Sequence, residues 1–384
     1  MLAFLRDRKV RGVLFQLLTV IALVLFMWYI GQNTVHNIEK RGIQTGFSFL
    51  SGTAGFAIND TPIAYDETYT HGRVFLVGLL NTIIISVVVI FFSTILGLII
   101  GVLRLSKNRL IAKISSAYID IFRNIPILLQ ILFWYNVVLA TLPSPRNSIK
   151  IFDSIFINNR GFYLPKPALN STTISVIVSI FLVFIVLFFL NKWANKRHEE
   201  TGKEFPVLLT GIGMLFTFPI IAFFIGGGDL QLSYPVLKGF NFRGGKVLYP
   251  EFLALAFALT IYTATFIAEA VRSGIEAVSK GQKEAAASIG LSNYQALKLV
   301  ILPQAIRIAI PPTINQYLNI VKNSSLATAV GYPELVTVFA GTSLNQVGQA
   351  IEIISMTMAV YLVTSLSVSA LLNWINFKMK IKER

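Results

Sequence analysis

A run of about 20 mostly apolar residues is long enough to cross a bilayer as a helix, and this chain repeats such runs from end to end. Eight fall near residues 12–31, 74–103, 116–141, 172–191, 206–226, 251–271, 304–321 and 351–376. Inside hydrocarbon every backbone amide and carbonyl must be bonded internally, so spans of this kind are helices. The expectation is an all-α membrane protein with about eight transmembrane helices. Of 384 residues, only 13% are charged, against about 25% in soluble domains. The third and seventh runs are the least regular. The third contains Arg123 and Pro126; the seventh contains Pro311, Pro312, Asn315, Gln316 and Asn319. The Pro-Pro pair predicts a kink.

The formal charge of +15 raises the question of nucleic acid. The basic residues lie between the apolar runs rather than along one face, so they orient the chain in the membrane instead. With the N-terminus inside, 21 Lys and Arg fall on the inner side and 11 on the outer, with Arg123 inside a span. That asymmetry, and the even number of spans, predict that both termini are cytoplasmic. The first run follows Arg6, Arg8, Lys9 and Arg11 and ends in Met27-Trp28-Tyr29. It is longer than a signal-peptide core and has no small-residue cleavage site, so it reads as a retained span with an aromatic belt. The outer loops, such as Pro143–Asn147 and Gly226–Asp229, read as turns and connectors.

Several chemistries are excluded. There is no cysteine, and His36, His71 and His198 cannot share a helical turn. A thiolate site, a cysteine nucleophile and a helix-borne histidine pair for metal are therefore ruled out. The nearest approach to a phosphate-binding loop, Gly239 to Val247, is one residue out of register and ends without the hydroxyl needed for magnesium. No catalytic residues are expected. An ion-coupled secondary transporter is one class of such many-span chains. That class shows broken helices in corresponding halves, whereas the Pro-Pro break here has no counterpart.

The most informative stretch is the loop 279–303. Ser279 with Gln282 predicts one capping box and Ser292 with Gln295 a second. Gly290 suits the left-handed residue that ends a helix, and Pro303 marks the step to the next span. The reading is helix, corner, helix. Ala285, Ala286 and Ala287 give the first helix a small-residue face that another backbone can approach.

Glu284-Ala285-Ala286, Gly290, Val300 and Leu302-Pro303 together resemble the EAA signature of ABC importer permeases. The one departure is Val300, where isoleucine is usual. Phe122-Arg123-Asn124-Ile125-Pro126-Ile127-Leu128-Leu129-Gln130 and Lys322-Asn323-Ser324-Ser325-Leu326 are similar to segments of polar amino acid permeases, as is Thr263 to Ile275. The resemblance implies a type I importer permease core at 71–141 and 250–376 within a permease domain 71–376. To it are added an N-terminal span and loop (1–70), a two-span insertion (142–249) and a cytoplasmic tail (377–384). This layout is similar to the Q-type permease of the general L-amino acid importer. It implies a multi-pass protein of the bacterial inner membrane that translocates amino acids. Glu284, Ala285, Ala286, Gly290, Leu302 and Pro303 would form the coupling loop that docks on separate ABC ATPase subunits. Those subunits would bind ATP and Mg, and no cofactor is implied in this chain. The other implied partners are a second, different permease chain and a periplasmic amino-acid-binding protein, with membrane lipid around the spans and no nucleic acid.

Polar groups inside spans are expensive and are functional candidates by default. Asn315 and Asn319, four residues apart, share a helix face, and Thr263 and Thr265 lie in the sixth span beside Tyr262 and Glu269. They line the path of a zwitterionic substrate, or they bond across helices and hold the bundle together. Asp120 with Arg123 and Glu269 with Arg272 are each spaced for an ion pair within a helix.

Overall fold

The structure, a computed structural model, describes residues 8–42 and 45–379. Arg6, Lys380, Lys382 and Arg384, which belong to the charge argument above, lie outside them, as does part of the expected tail 377–384. The helices in chain order are α1 (Arg8–Arg41), α2 (His71–Arg104), α3 (Arg109–Asn124), α4 (Ile127–Phe133), α5 (Ser171–Thr201), α6 (Val207–Ile225), α7 (Pro250–Glu276), α8 (Lys280–Ser288), α9 (Asn293–Ala296), α10 (Leu302–Asn323), α11 (Leu344–Val347) and α12 (Ala350–Met379). Among the described residues, seven helices are long and apolar enough to span a membrane, or eight if one broken pair counts as a span. The chain is thus an all-α, multi-span membrane protein.

The broken pair corrects the third expected span. Residues 116–141 do not form one helix: α3 ends at Asn124, α4 begins at Ile127, and Pro126 between them is extended with ψ 132°. A residue before proline is pushed out of the helical region, so the break falls at Ile125-Pro126. The helix then continues as a π-helical turn, Trp134–Leu139. The seventh span differs the other way. Helical structure runs from Asn293 to Ala329, and Pro303 does not interrupt it. The preceding turn, Leu297–Ile301, is π-helical, with the amide of Leu302 donating to the carbonyl of Leu297. That wider ladder accommodates the proline ring that would clash in a regular helix. Pro311 and Pro312 lie inside α10, which continues through them.

The chain forms two compact units, one of Met1–Arg123 with Thr260–Arg384 and the other of Asn124–Leu259. In the first, α2 and α7 meet at backbone distance. A Cβ on Gly97 would lie 2.6 Å from Cβ of Ile267, and one on Gly101 would lie 2.7 Å from the carbonyl oxygen of Ala268. Gly274 of α7 similarly faces the carbonyl of Ala305 in α10. Helices in lipid gain nothing from burying apolar area against one another, so close approach through small residues is what holds them.

Between α10 and α12 the chain makes a short 3-10 turn (Ser324–Ala329), a π-helical segment (Val336–Ser343) and α11. Glu334 anchors this stretch. Its carboxylate is fully buried and accepts from the amides of Val336 (2.9 Å) and Thr337 (2.8 Å), the Thr337 hydroxyl (3.0 Å) and the Tyr361 hydroxyl of α12 (3.2 Å). Burial pushes this carboxyl above the usual range, against the pull of those four donors. From α2, Asn81 donates to the carbonyl of Pro333 (2.9 Å), and the Thr82 hydroxyl accepts from the amide of Leu335 (3.2 Å).

The second unit holds α5 and α6, whose far-apart ends meet where the Thr172 hydroxyl donates to the carbonyl of Gly226 (2.8 Å). Its loops are more than the turns and connectors expected. Strands β1 (Ile149–Ile151), β2 (Ile155–Asn158), β3 (Gly161–Leu164), β4 (Lys166–Pro167), β5 (Leu232–Ser233), β6 (Val236–Lys238), β7 (Asn241–Arg243) and β8 (Lys246–Leu248) form one antiparallel four-stranded sheet, β1-β2-β3-β8, a long-range antiparallel pair, β4-β5, and a hairpin, β6-β7. Each strand is too short to announce itself among Asn, Gly and Pro. Partners distant in sequence, such as Tyr163 opposite Val247, supply what local propensity does not.

Two outcomes test these packing claims. Gly97→Leu should lower the thermal midpoint of the detergent-solubilised protein, since overpacking of this kind costs about 1–3 kcal/mol; an unchanged midpoint would mean that α2 and α7 do not meet as described. Glu334→Leu should cost about 3 kcal/mol or more by leaving buried donors unpaired and should open 330–343 to limited proteolysis. Native resistance to protease would sink the anchoring role.

Candidate functional site

The loop after α7 is built by local rules. α8 ends in a left-handed glycine, Gly290 at φ 79°. The amide of Leu291 bonds the carbonyl of Ala286 (3.1 Å) and that of Gly290 bonds Ala287 (2.9 Å). This pair of reversed bonds closes the helix and turns the chain sharply. A Cβ at Gly290 would meet no atom within 4 Å, so the backbone angle and not space demands glycine there. Ser292 starts α9 through a complete capping box with Gln295. The first expected capping box is not formed: the Ser279 side chain makes no capping bond. Its intended partner Gln282 instead accepts from the Gln304 side chain of α10 (3.4 Å), which ties α8 back to the helix that follows the corner.

Glu284, Ala285 and Gly290 are exposed, while Ala286 is buried. Leu302 and Pro303 are exposed where the π-helical turn enters α10. Beside the corner two large side chains stand in the open: Ile289 at 75% exposure and Tyr294 at 72%. The result is a preformed, polar-backed knob with apolar side chains at its tip.

A second feature lies deeper in the same unit. Arg104 of α2 and Arg272 of α7 both pair with Glu269, and Arg272 also pairs with Glu276. The Glu269–Arg272 pair is the one expected from spacing; Arg104 joins it because the glycine contact brings α2 against α7. Arg123 at the end of α3 lies 5.1 Å from the ring centroid of Phe266, a cation–π distance. Arg123, Glu269, Ser273, Pro312 and Gln316, with Phe266, line a cavity of about 320 Å³. Pro312 has no amide to bond the carbonyl of Ile308, which also lines the cavity.

The four intramembrane residues singled out in the sequence are placed differently. Thr263 and Thr265 are buried, and the Thr265 hydroxyl donates to the carbonyl of Tyr262 (2.7 Å). Asn315 and Asn319 are exposed on α10. None of the four lines the polar cavity, but Asn319 reaches its wall by donating to the Gln316 side chain (3.3 Å). Gln316 and Arg104 were not singled out. The signal for Gln316 was present, one residue after Asn315 on a different helix face; that for Arg104 was the Gly97–Gly101 spacing, which brings its helix to Glu269. Among the described residues no cluster of three or more His, Asp or Glu could hold a metal ion.

Residues 93–381 match the family described as "Binding-protein-dependent transport system inner membrane component". Among curated proteins, the chain is 49% identical to the "Putative amino-acid ABC transporter permease protein YhdX" of Escherichia coli (strain K12), over 98% of this chain and 95% of that protein. It is 45% identical to the "General L-amino acid transport system permease protein AapQ" of Rhizobium johnstonii, over 98% and 94% respectively. It is 38% identical to the "Glutamate/glutamine/aspartate/asparagine transport system permease protein BztB" of Rhodobacter capsulatus, over 98% and 96%. With its seven or eight candidate spans and a match over most of its length, this chain belongs to the inner membrane components of binding-protein-dependent transport systems.

Proposed function

We propose that this chain is the amino-acid-translocating permease subunit of an ABC importer and that its loop 284–303 couples it to a separate ATPase. The observation that carries the reading is the corner itself: a helix closed by a left-handed glycine and a second helix started by a capping box, presenting Ile289 and Tyr294 to a partner. A rigid protrusion with apolar tips is suited to a groove on another protein, because little entropy is lost when it docks. Glu284, Ala285, Ala286, Gly290, Leu302 and Pro303 shape that protrusion. ATP and Mg are held by the ATPase. The basic-residue asymmetry supports a cytoplasmic position for the loop and both termini. A second, different permease chain completes the path, and a soluble binding protein delivers substrate on the opposite side. The N-terminal span and the insertion 142–249, added to a core at 71–141 and 250–376, support the finer reading as the Q-type permease of a general L-amino acid importer.

The translocation path in this reading passes the polar cavity. A zwitterion needs an acceptor for its ammonium and donors for its carboxylate; Glu269, Arg123 and Gln316 supply both kinds. Asn315 and Asn319 carry the polar face along α10, and Thr263 and Thr265 stiffen the wall behind it.

Gly290→Val should uncouple ATP hydrolysis from uptake, because a β-branched residue strains at positive φ, whereas Gly290→Asn should retain most coupling. Reconstituted vesicles giving equal uptake per ATP for Gly290→Val and the unsubstituted protein would refute the coupling role. Gln316→Leu should raise the half-saturating substrate concentration several-fold while membrane abundance stays unchanged; wild-type uptake kinetics would remove the cavity from the path.

A further inference from the structure

The inserted loops of the second unit carry features that neither the coupling corner nor the polar cavity uses. Residues 142–170 and 226–249 hold Arg146, Lys150, Arg160, Lys166, Lys238, Arg243 and Lys246 against only Asp153 and Asp229. These are seven of the 11 basic residues that the orientation argument places outside. Basic residues there run against the usual distribution, so this concentration calls for a reason of its own.

The backbone supplies a second anomaly. At the tip joining β1 to β2, Phe152 and Asp153 both have φ 50°. Two successive left-handed residues are what a tight hairpin requires, and the residues normally found there are Asn and Gly. A phenylalanine in that conformation is a genuine outlier. Its side chain is 92% exposed, so the strain is not offset by packing within this chain. Strained positions of this kind cluster at functional surfaces. A second exposed ring, Phe240, stands at the β6–β7 turn. The Arg146 guanidinium lies 4.8 Å from its centroid, and Arg160 donates to its carbonyl (3.2 Å).

The same loops enclose a cleft of about 420 Å³ lined by Arg146, Lys150, Phe156, Pro235, Val236 and Phe242, among others. The rings of Phe156 and Phe242 are 4.5 Å apart at their centroids. Exposed aromatic anchors ringed by arginine are the composition of protein interfaces. A concave cleft with an aromatic floor accepts a projecting side chain, whereas a bilayer presents a flat surface.

We infer that this β-rich module is the docking face for the soluble binding protein of the transport system, which meets it with an acidic surface and an apolar socket for Phe152. The inference rests on the importer reading above and adds the place and chemistry of that contact. The family's dependence on a binding protein names the occupant, and charge complementarity steers such encounters.

The test uses the complete transporter, permease pair with ATPase, in lipid nanodiscs, with the binding protein titrated in. Phe152→Asn relieves the strained backbone, so the module should fold at least as well, and a raised or equal thermal midpoint establishes that. The expected result is a fivefold or greater loss of binding-protein affinity for Phe152→Asn. The pair Arg146→Glu with Lys150→Glu should show a similar loss and a weaker salt dependence, with basal ATPase unchanged. Wild-type affinity in both variants overturns the inference and leaves the importer reading standing. Variants that bind the binding protein normally but lose a dependence on phosphatidylglycerol content overturn it in favour of a lipid contact. If the binding protein neither binds nor stimulates the unsubstituted complex, the importer reading fails and this inference fails with it.

Discussion

The contact on which the first unit depends is the backbone-distance approach of α2 to α7 at Gly97 and Gly101. In lipid there is no hydrophobic drive to press two apolar helices together, so the contact must be made by shape. Removing two side chains lets the carbonyls of Ala264 and Ala268 come within reach of α2. A turn further along, the same proximity brings Arg104 to Glu269. Polar atoms that would be costly apart in hydrocarbon become acceptable once that contact pairs them. The pairing of Glu269, which also lines the cavity beside Arg123 and Gln316, with Arg104 is therefore a product of a steric fact about glycine.

The two regions singled out for function differ in how they are held. The corner at Gly290 is fixed by short-range rules: reversed bonds at one helix end, a capping box at the next start, a left-handed residue between. It would form in much the same way whatever surrounded it. The cavity has no such autonomy, since its lining comes from the end of α3, the C-terminal half of α7 and the proline-bearing stretch of α10. Gly274 packing on Ala305 and Gln282 bonding Gln304 join the two regions mechanically, because α7, α8 and α10 all take part.

This difference explains what was legible in the sequence. The spans could be read because length and apolarity are local properties, and the corner because caps and a glycine are local signals. Gly290 and the Ser292–Gln295 box are visible in a few residues. The break at Pro126 is masked in the sequence by the apolar run on both sides of it, and only the restriction on the residue before proline marks it. The box expected at Ser279 does not form, and its partner Gln282 bonds across to Gln304, a residue over twenty positions away. Glu334 could not be singled out as an anchor, since its donors include Tyr361 on another helix. The β-strands were hidden for the same reason: β3 finds β8 across more than eighty residues.

α1 stands apart from all of this. No residue in its most apolar stretch is buried against the rest of the chain, and side chains from Val13 to Tyr29 remain largely uncovered. Every other long helix shares some of its surface with a neighbour. Among the described residues, the apolar stretch of α1 packs against no other helix of the chain. Within the described chain, substitutions along the apolar stretch of α1 therefore call for few compensating changes in the other helices.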